Sequence, residues 1–196
     1  MPGQAPPVTD ERALLLAYIK QQRDGLRYAS FGLTDEQARM APCVSTLTVG
    51  GLIKHAALTE RHWIDMVLQR QRNSGSMEDQ MSDYARGFEL GPGETLQDVL
   101  ALMDEVESET EEAVNSISDL NQPVPIPKGV PWFPQDVDSW TVRWVLLHVI
   151  EENGRHAGHA DIVRESIDGA TMYELMAGAE GWPESPWIKP WKPATG

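Results

Sequence analysis

Three residues of this chain have the types and the spacing of a metal site: His55, Glu152 and His156. Residues four apart on a helix lie about one turn apart on the same face, so Glu152 and His156 can both contact one ion. His55 would reach that ion from a second helix. Two imidazoles and a carboxylate suit zinc, and iron, nickel or another divalent ion can use the same set. Three protein ligands leave one zinc position open, which distinguishes catalytic sites from closed structural ones.

The alternative interpretation of these residues is structural. His148, Glu152 and His156 lie on one stripe, and such a stripe is also typical of the polar seam of a bundle or of a solvated helix face. The surrounding sequence favours a metal site. Residues 144–150 are strongly apolar, and His55 also lies in an apolar segment. Ionisable groups on buried faces are costly unless they are paired or bound to a metal.

Two further histidines, His62 and His159, are candidates for metal ligation or for substrate contact. His62 follows His55 by two helical turns. His159 follows His156 by about one turn, but it is rotated away from the line of Glu152.

Four long segments with apolar residues at helical spacing predict the helices that position these side chains. Each segment begins at a residue that can cap a helix N-terminus, namely Thr9, Thr48, Thr95 and Ser139. Thr34 and Gln37 add a capping-box pattern for a short turn of helix. The predicted long helices cover residues 10–29, 48–71, 95–118 and 139–168.

The connections between these helices are uneven in length and composition. Residues 73–93 are polar, which predicts a loop, and residues 121–138 contain five prolines, which exclude a helix and predict a crossover loop. The sequence therefore predicts an all-α fold. We expect an up-down four-helix bundle with a long crossover loop before the last helix, and with the metal between the second and fourth helices.

One domain is the simplest organisation for a chain of 196 residues. We predict that residues 1–170 form the bundle and that residues 171–196 form a Trp/Pro-rich tail that packs on the same domain. Trp182, Trp187 and Trp191 are spaced among prolines in this tail. Each indole can bury on the order of 200 Å², so we expect all three to be covered. The tail would cover the metal site or meet a second subunit in a homodimer.

Composition excludes several classes of partner. The formal net charge of −14 repels phosphate backbones and anionic headgroups, so we expect neither nucleic acid nor membrane as a partner. Residues 1–10 lack a signal-peptide pattern and no apolar run reaches membrane-spanning length, so we expect a cytoplasmic protein. Cys43 is the single cysteine, which excludes an intramolecular disulfide and a cysteine zinc cluster.

Two stretches of the chain resemble the signature helices of the DinB/YfiT-like superfamily. The first is TVGGLIKHAALTERHW at residues 48–63, and the second is RWVLLHVIEENGRHAGHADI at residues 143–162. The likeness spans about residues 10 to 170. Most of that superfamily would have a histidine in place of Glu152. The His, Glu, His set is similar to the branch of mycothiol-dependent maleylpyruvate isomerase and the mycothiol transferases.

The resemblance implies a zinc-dependent thiol transferase. Such an enzyme would use mycothiol as its cosubstrate and activate the thiol at the metal for attack on an electrophilic small molecule. Three alternatives stay open: a thiol-dependent isomerase, a zinc hydrolase that activates water, and a non-catalytic metal- or ligand-binding protein. Hydrolysis would require a separate general base, for which Glu151 and His159 are the candidates.

Overall fold

The structure is a computed structural model that describes residues 3–70 and 77–193. Within these ranges it contains seven helices and one antiparallel two-stranded sheet. The elements in chain order are α1 (Glu11–Ser30), α2 (Asp35–Ala38), α3 (Val49–Val67), α4 (Met77–Arg86), α5 (Leu96–Ser116), β1 (Pro123–Pro125), β2 (Ser139–Thr141), α6 (Val142–Asp168) and α7 (Met172–Ala179). The predicted all-α class is confirmed.

Capping residues define the ends of the long helices. The Thr48 hydroxyl oxygen accepts a hydrogen bond from the backbone N–H of Gly51 at 3.0 Å, as predicted for the start of α3. Thr95 caps α5 as predicted, in a capping box with Asp98. Gly169 ends α6 with a φ of 77°, in the left-handed region that glycine adopts without a Cβ clash.

Two helix starts differ from the prediction by a few residues. Asp10 rather than Thr9 caps α1, since its carboxylate accepts from the backbone N–H of Ala13 at 2.8 Å. Thr141 rather than Ser139 caps α6, because Ser139 lies in β2 and pairs with β1. Backbone pairing with a distant segment therefore overrides the local capping preference of Ser139.

Two clusters of buried apolar residues show the directions of the four long helices. One cluster joins the first halves of α1 and α6 to the second halves of α3 and α5, and the other joins the opposite halves. Thus α1 and α6 run in one direction, and α3 and α5 run in the other. Representative residues are Leu15, Ile64, Val114 and Val145 in the first cluster, and Leu26, Ile53, Val99 and Val163 in the second.

These directions correct the predicted chain path. Because α3 and α5 are parallel, the connection that crosses the length of the bundle is 68–95, and not the connection before the last helix. Residues 117–141 join α5 to α6 at one end of the bundle. Ile117, Val124 and Trp140 belong to the first apolar cluster, which lies at that end of the bundle. Val124 is paired with Trp140 across the sheet. The prolines exclude a helix as expected, but the segment closes one end rather than crossing over.

The polar stretch 73–93 is not a simple loop, because it contains α4. Residues 71–76 lie outside the described residues, and α4 covers Met77–Arg86. Glu78 and Asp79 lie in its first turn and Arg86 in its last, where such charges are favourable to the helix dipole. The polar composition of this stretch therefore led to the wrong prediction of a loop, because the helix is stabilised partly by its own charges.

The C-terminal segment contains α7, and Trp191 packs against the end of α1. Its backbone N–H donates to the Glu174 carbonyl at 2.8 Å, its ring meets Phe31 edge-on at 5.7 Å, and Arg164 lies 4.8 Å above it. Trp187 is 88% exposed, so the expectation that all three tail indoles are buried was wrong. The assignment of residues 171–196 to the bundle domain stays a prediction.

No helix in the described ranges combines the length and the apolar composition that a membrane span requires.

A buried polar cluster connects the four long helices, with one residue from each. The guanidinium of Arg23 (α1) donates to both carboxylate oxygens of Glu60 (α3), at 2.5 and 3.0 Å. Thr110 (α5) donates its hydroxyl to Glu60 at 2.6 Å, and the Asn153 amide (α6) donates to it at 3.0 Å. All four residues are at most 2% exposed. We call this set the Glu60 cluster.

We predict that Glu60→Ala lowers the free energy of unfolding by about 3–5 kcal/mol, because the buried Arg23 guanidinium loses both of its hydrogen bonds to Glu60 and keeps only the longer contact of 3.4 Å with Glu107. Urea denaturation followed by circular dichroism measures the loss. The matched control is Asp83→Ala, which removes an exposed partner of Arg86. A loss for Glu60→Ala no larger than that of the control would contradict the structural role of the cluster.

The glycines of α1 and α6 should respond differently to alanine. A Cβ on Gly158 would meet nothing within 4 Å among the described residues, so Gly158→Ala should gain about 0.5–1 kcal/mol from helix propensity. A Cβ on Gly25 would lie 3.2 Å from the Ala157 Cβ, where α1 crosses α6. We therefore expect Gly25→Ala to be less stable than Gly158→Ala, as measured by thermal unfolding. Equal stability of the two variants would show that the crossing tolerates an added methyl group.

Candidate metal centre

His55 lies on the side of α3 that faces α6, and it is 1% exposed. The Phe88 ring stacks on its imidazole with centroids 3.6 Å apart, and Tyr84 meets it edge-on at 5.2 Å. The Thr59 hydroxyl lies 3.3 Å from Nε2. Packing on both sides therefore restricts the imidazole to one orientation.

Glu152 and His156 lie one turn apart on α6 and meet His55 across the helix interface. Oε1 of Glu152 is 3.4 Å from His156 Nε2 and 4.0 Å from His55 Nε2. One donor atom from each of the three residues can be chosen so that all lie within 4.8 Å of one another. Ligand atoms bound to one zinc at about 2.1 Å lie roughly 3.4 Å apart, so two of these separations are close to those of a metal site.

The protonation states of these groups also suit a cation. Burial lowers the pKa of His55 below its ordinary value, which favours the neutral imidazole. The side chains of His156 and then His55 hold the pKa of Glu152 far below its ordinary value, which favours the carboxylate. Neutral imidazoles and ionised carboxylates are the forms that bind metals. The directions of these two shifts therefore favour the metal-binding forms of His55 and Glu152.

The two ring nitrogens of His156 have different surroundings. Nε2 faces the Glu152 carboxylate at 3.4 Å, whereas Nδ1 is buried and has no hydrogen-bond partner in the described parts of the chain. Buried polar atoms are almost always partnered, so Nδ1 is open to a partner from outside the described residues. The three residues fit a divalent cation by donor type and by their convergence.

The two further candidate histidines, His62 and His159, lie outside this group. His62 is exposed and lies edge-on to Trp63 at 6.4 Å. His159 is exposed, with its ring 5.8 Å from that of His156. Ligation or substrate contact by either residue stays a prediction.

His148 lies one turn before Glu152 but faces an aromatic neighbourhood. Its ring stacks on Trp144 at 5.3 Å and meets Trp63 edge-on at 4.5 Å. Its Nδ1 is 3.5 Å from the Glu151 carboxylate. His148 is therefore not among the residues that the structure brings together as a candidate ligand group, and the ligand register of α6 stays a prediction.

The sequence interpretation missed Tyr84 and Phe88, which come from the stretch predicted as a loop. Two aromatic residues four apart in a polar segment were the available signal. Gly51 lets this segment approach α3, because a Cβ there would lie 1.9 Å from the Phe88 carbonyl oxygen. Burial, followed by the negative charge of Glu152, raises the pKa of Tyr84 above its ordinary value. The phenol is therefore protonated at neutral pH.

A known protein family matches the part of the chain that contains this site. The model of the mycothiol-S-transferase family matches residues 14–169, a range that contains all three candidate ligands. The chain belongs to this family. The resemblance to DinB-like proteins is thereby confirmed, and the family is named for transferase activity with mycothiol.

A solved structure shows the same fold. The crystal structure of a conserved protein from Enterococcus faecalis matches with a TM-score of 0.63 and 14% sequence identity, covering 83% of this chain and 100% of that one. At this identity the likeness concerns the fold alone. No curated protein matches the chain.

We predict that the purified transferase-family protein holds about one divalent ion per chain, and that His55→Ala, Glu152→Ala and His156→Ala each lose most of it, because two ligands remain. Elemental analysis measures the content. His148→Ala is the matched control on the same helix stripe, and it should keep its metal. Loss of metal in His148→Ala with retention in Glu152→Ala would show that the ligand register on α6 is wrong.

Metal retention should depend on pH in a defined direction. Protons compete with the cation for imidazole nitrogens, so occupancy should be complete above the ordinary histidine pKa of about 6.5 and should fall below it. The lowered pKa of His55 moves its own protonation to the acid side of that value. Equilibrium dialysis measures occupancy, with circular dichroism to verify folding. Unchanged occupancy down to about pH 4 would argue against two histidine ligands.

Proposed function

We propose that this protein is a metal-dependent thiol transferase, with zinc as the first candidate metal, which couples mycothiol to an electrophilic small molecule. The observation that carries the proposal is the convergence of His55, Glu152 and His156 in a chain of the mycothiol-S-transferase family. Family membership supports the thiol and the type of reaction. The ligand group supports the metal.

Each residue of the group would have a distinct role. His55 and His156 would hold the cation through neutral ring nitrogens, and Glu152 through its carboxylate. Phe88 covers the His55 ring at 3.6 Å and so keeps water from that side. The Glu152 side chain is 22% exposed, so the site opens to solvent beside it. We call this region the opening. Mycothiol and the electrophile would both reach the site there.

The bound cation would supply an open coordination position that lowers the pKa of a thiol, and a free thiol with a pKa of about 8.5 is only a few per cent thiolate at pH 7. Complete deprotonation therefore increases the reactive fraction roughly thirtyfold, or by about 2 kcal/mol, before any effect of orientation. The chain contributes the rigid ligand set and the covered side of the site.

A hydrolase and a binding protein are the alternative functions. For hydrolysis, Glu151 and His159 are the sequence candidates for a general base. The Glu151 side chain is 56% exposed, its neighbour is His148, and His159 is also exposed. Neither arrangement favours water activation at the candidate centre, so transfer is the preferred proposal.

The experiment is a coupled assay of the metal-loaded protein with mycothiol and monochlorobimane, an electrophilic dye. Thiol consumption with formation of the fluorescent conjugate is expected. Dye hydrolysis without thiol consumption would indicate a hydrolase, and neither change would indicate a binding protein or an isomerase. Glu152→Ala should lose the activity, and His148→Ala, which preserves the ligand set, is the control for metal content.

A further inference from the structure

Tyr84 lies beside the candidate metal centre but comes from α4, outside the bundle. Its ring meets the His55 imidazole edge-on at 5.2 Å and the Phe88 ring at 5.6 Å. The residue is nevertheless 59% exposed. One part of the side chain is therefore held against a candidate ligand while the rest faces solvent beside the candidate centre.

The hydroxyl of Tyr84 has no hydrogen-bond partner in the described parts of the chain, whereas Tyr28 donates its hydroxyl to Glu180. A phenol hydroxyl can donate a hydrogen bond, and the ring that carries this one is held against His55 and Phe88. The ring of Tyr84 is held in place by its neighbours, and its hydroxyl has no hydrogen-bond partner among the described residues. Such a hydroxyl is suited to contact a bound molecule.

We propose that Tyr84 contacts the electrophile, donating its O–H to the carbonyl oxygen of a neutral α,β-unsaturated carbonyl compound. This inference rests on the proposed transferase function and adds to it the class of acceptor and the residue that selects it. Donors aimed at an oxygen where charge develops contribute more in the transition state than in the ground state.

The charges around the opening favour a neutral acceptor. The charge of Glu152 would be offset by the bound cation, but Glu151, the residue before it on α6, is 56% exposed, and the chain as a whole carries a net charge of −14. A substrate that is anionic in its ground state would be repelled. A neutral carbonyl acquires negative charge only as the thiol adds, when the Tyr84 hydroxyl can stabilise it.

The addition balances without an oxidant or a reductant. The thiol sulfur forms a bond to the β-carbon, the C=C π bond breaks, and its electron pair moves onto the carbonyl oxygen to give an enolate. The thiol proton goes to solvent, and solvent returns one proton to the α-carbon. Tyr84 keeps its proton and stabilises the oxygen by hydrogen bonding alone.

The test compares two neutral acceptors with mycothiol, namely cyclohex-2-enone, which has a carbonyl oxygen, and benzyl chloride, which has none. Tyr84→Phe removes the hydroxyl and keeps the ring that packs on His55. We expect kcat/KM for cyclohex-2-enone to fall by about 100-fold, the cost of losing one such donor. The value for benzyl chloride should stay within about twofold, because chloride departure does not use that donor.

Cobalt binding followed by absorbance is the second readout. Wild type and Tyr84→Phe should bind cobalt with the same affinity, because the phenol contacts the substrate and does not orient a ligand. The matched control is Tyr173→Phe on α7, where the tyrosine is 56% exposed, and it should leave both acceptors unaffected.

Each other result overturns the inference. An equal fall for both acceptors, or a loss of cobalt affinity in Tyr84→Phe, would assign Tyr84 to the support of the metal centre. No effect on either acceptor, or a wild type that conjugates monochlorobimane but not cyclohex-2-enone, would reject the inference and leave the transferase function intact. A wild type that conjugates none of these electrophiles would reject both.

Discussion

The pairing of Arg23 with Glu60 is the constraint on which the rest of the structure depends. Taking a guanidinium and a carboxylate out of water costs several kcal/mol for each ion, and this cost is offset only when their hydrogen bonds are complete. Glu60 reaches that condition by accepting bonds from Arg23, Thr110 and Asn153, which requires all four long helices in one register. Asn153 directly follows Glu152, so the cluster also constrains the rotation of α6 at the candidate metal centre.

The candidate centre has two sides. The bundle helices α3 and α6 form one of them, and residues of the connection between α3 and α5 form the other. Parallel packing of α3 and α5 forces residues 68–95 to return along the bundle, and this path brings Phe88 onto His55. The approach depends on Gly51, since any side chain there would collide with the backbone at Phe88. The crossover is therefore part of the site, and the chemistry proposed at Tyr84 follows from the helix directions.

The strong negative charge of the chain is partly compensated where helices meet. Arg27 lies 2.6 Å from carboxylates of both Asp104 and Glu107, and Arg61 lies 2.9 Å from Glu109. Part of the acidic stretch of α5 therefore pairs with basic residues of α1 and α3. Most of these side chains are partly buried, and the pairs favour one arrangement of neighbouring helices over others.

The sequence by itself determined the helical class, most of the helix boundaries and the three residues that converge, because helical period, capping and donor chemistry are local properties of side chains. It did not determine the direction of α5, the helix α4 or the aromatic cover of His55. Those features were decided by the tertiary structure. Apolar helices can bury the same faces in more than one order, and only the packing of distant residues, here the Glu60 cluster and the close contact at Gly51, selects one arrangement.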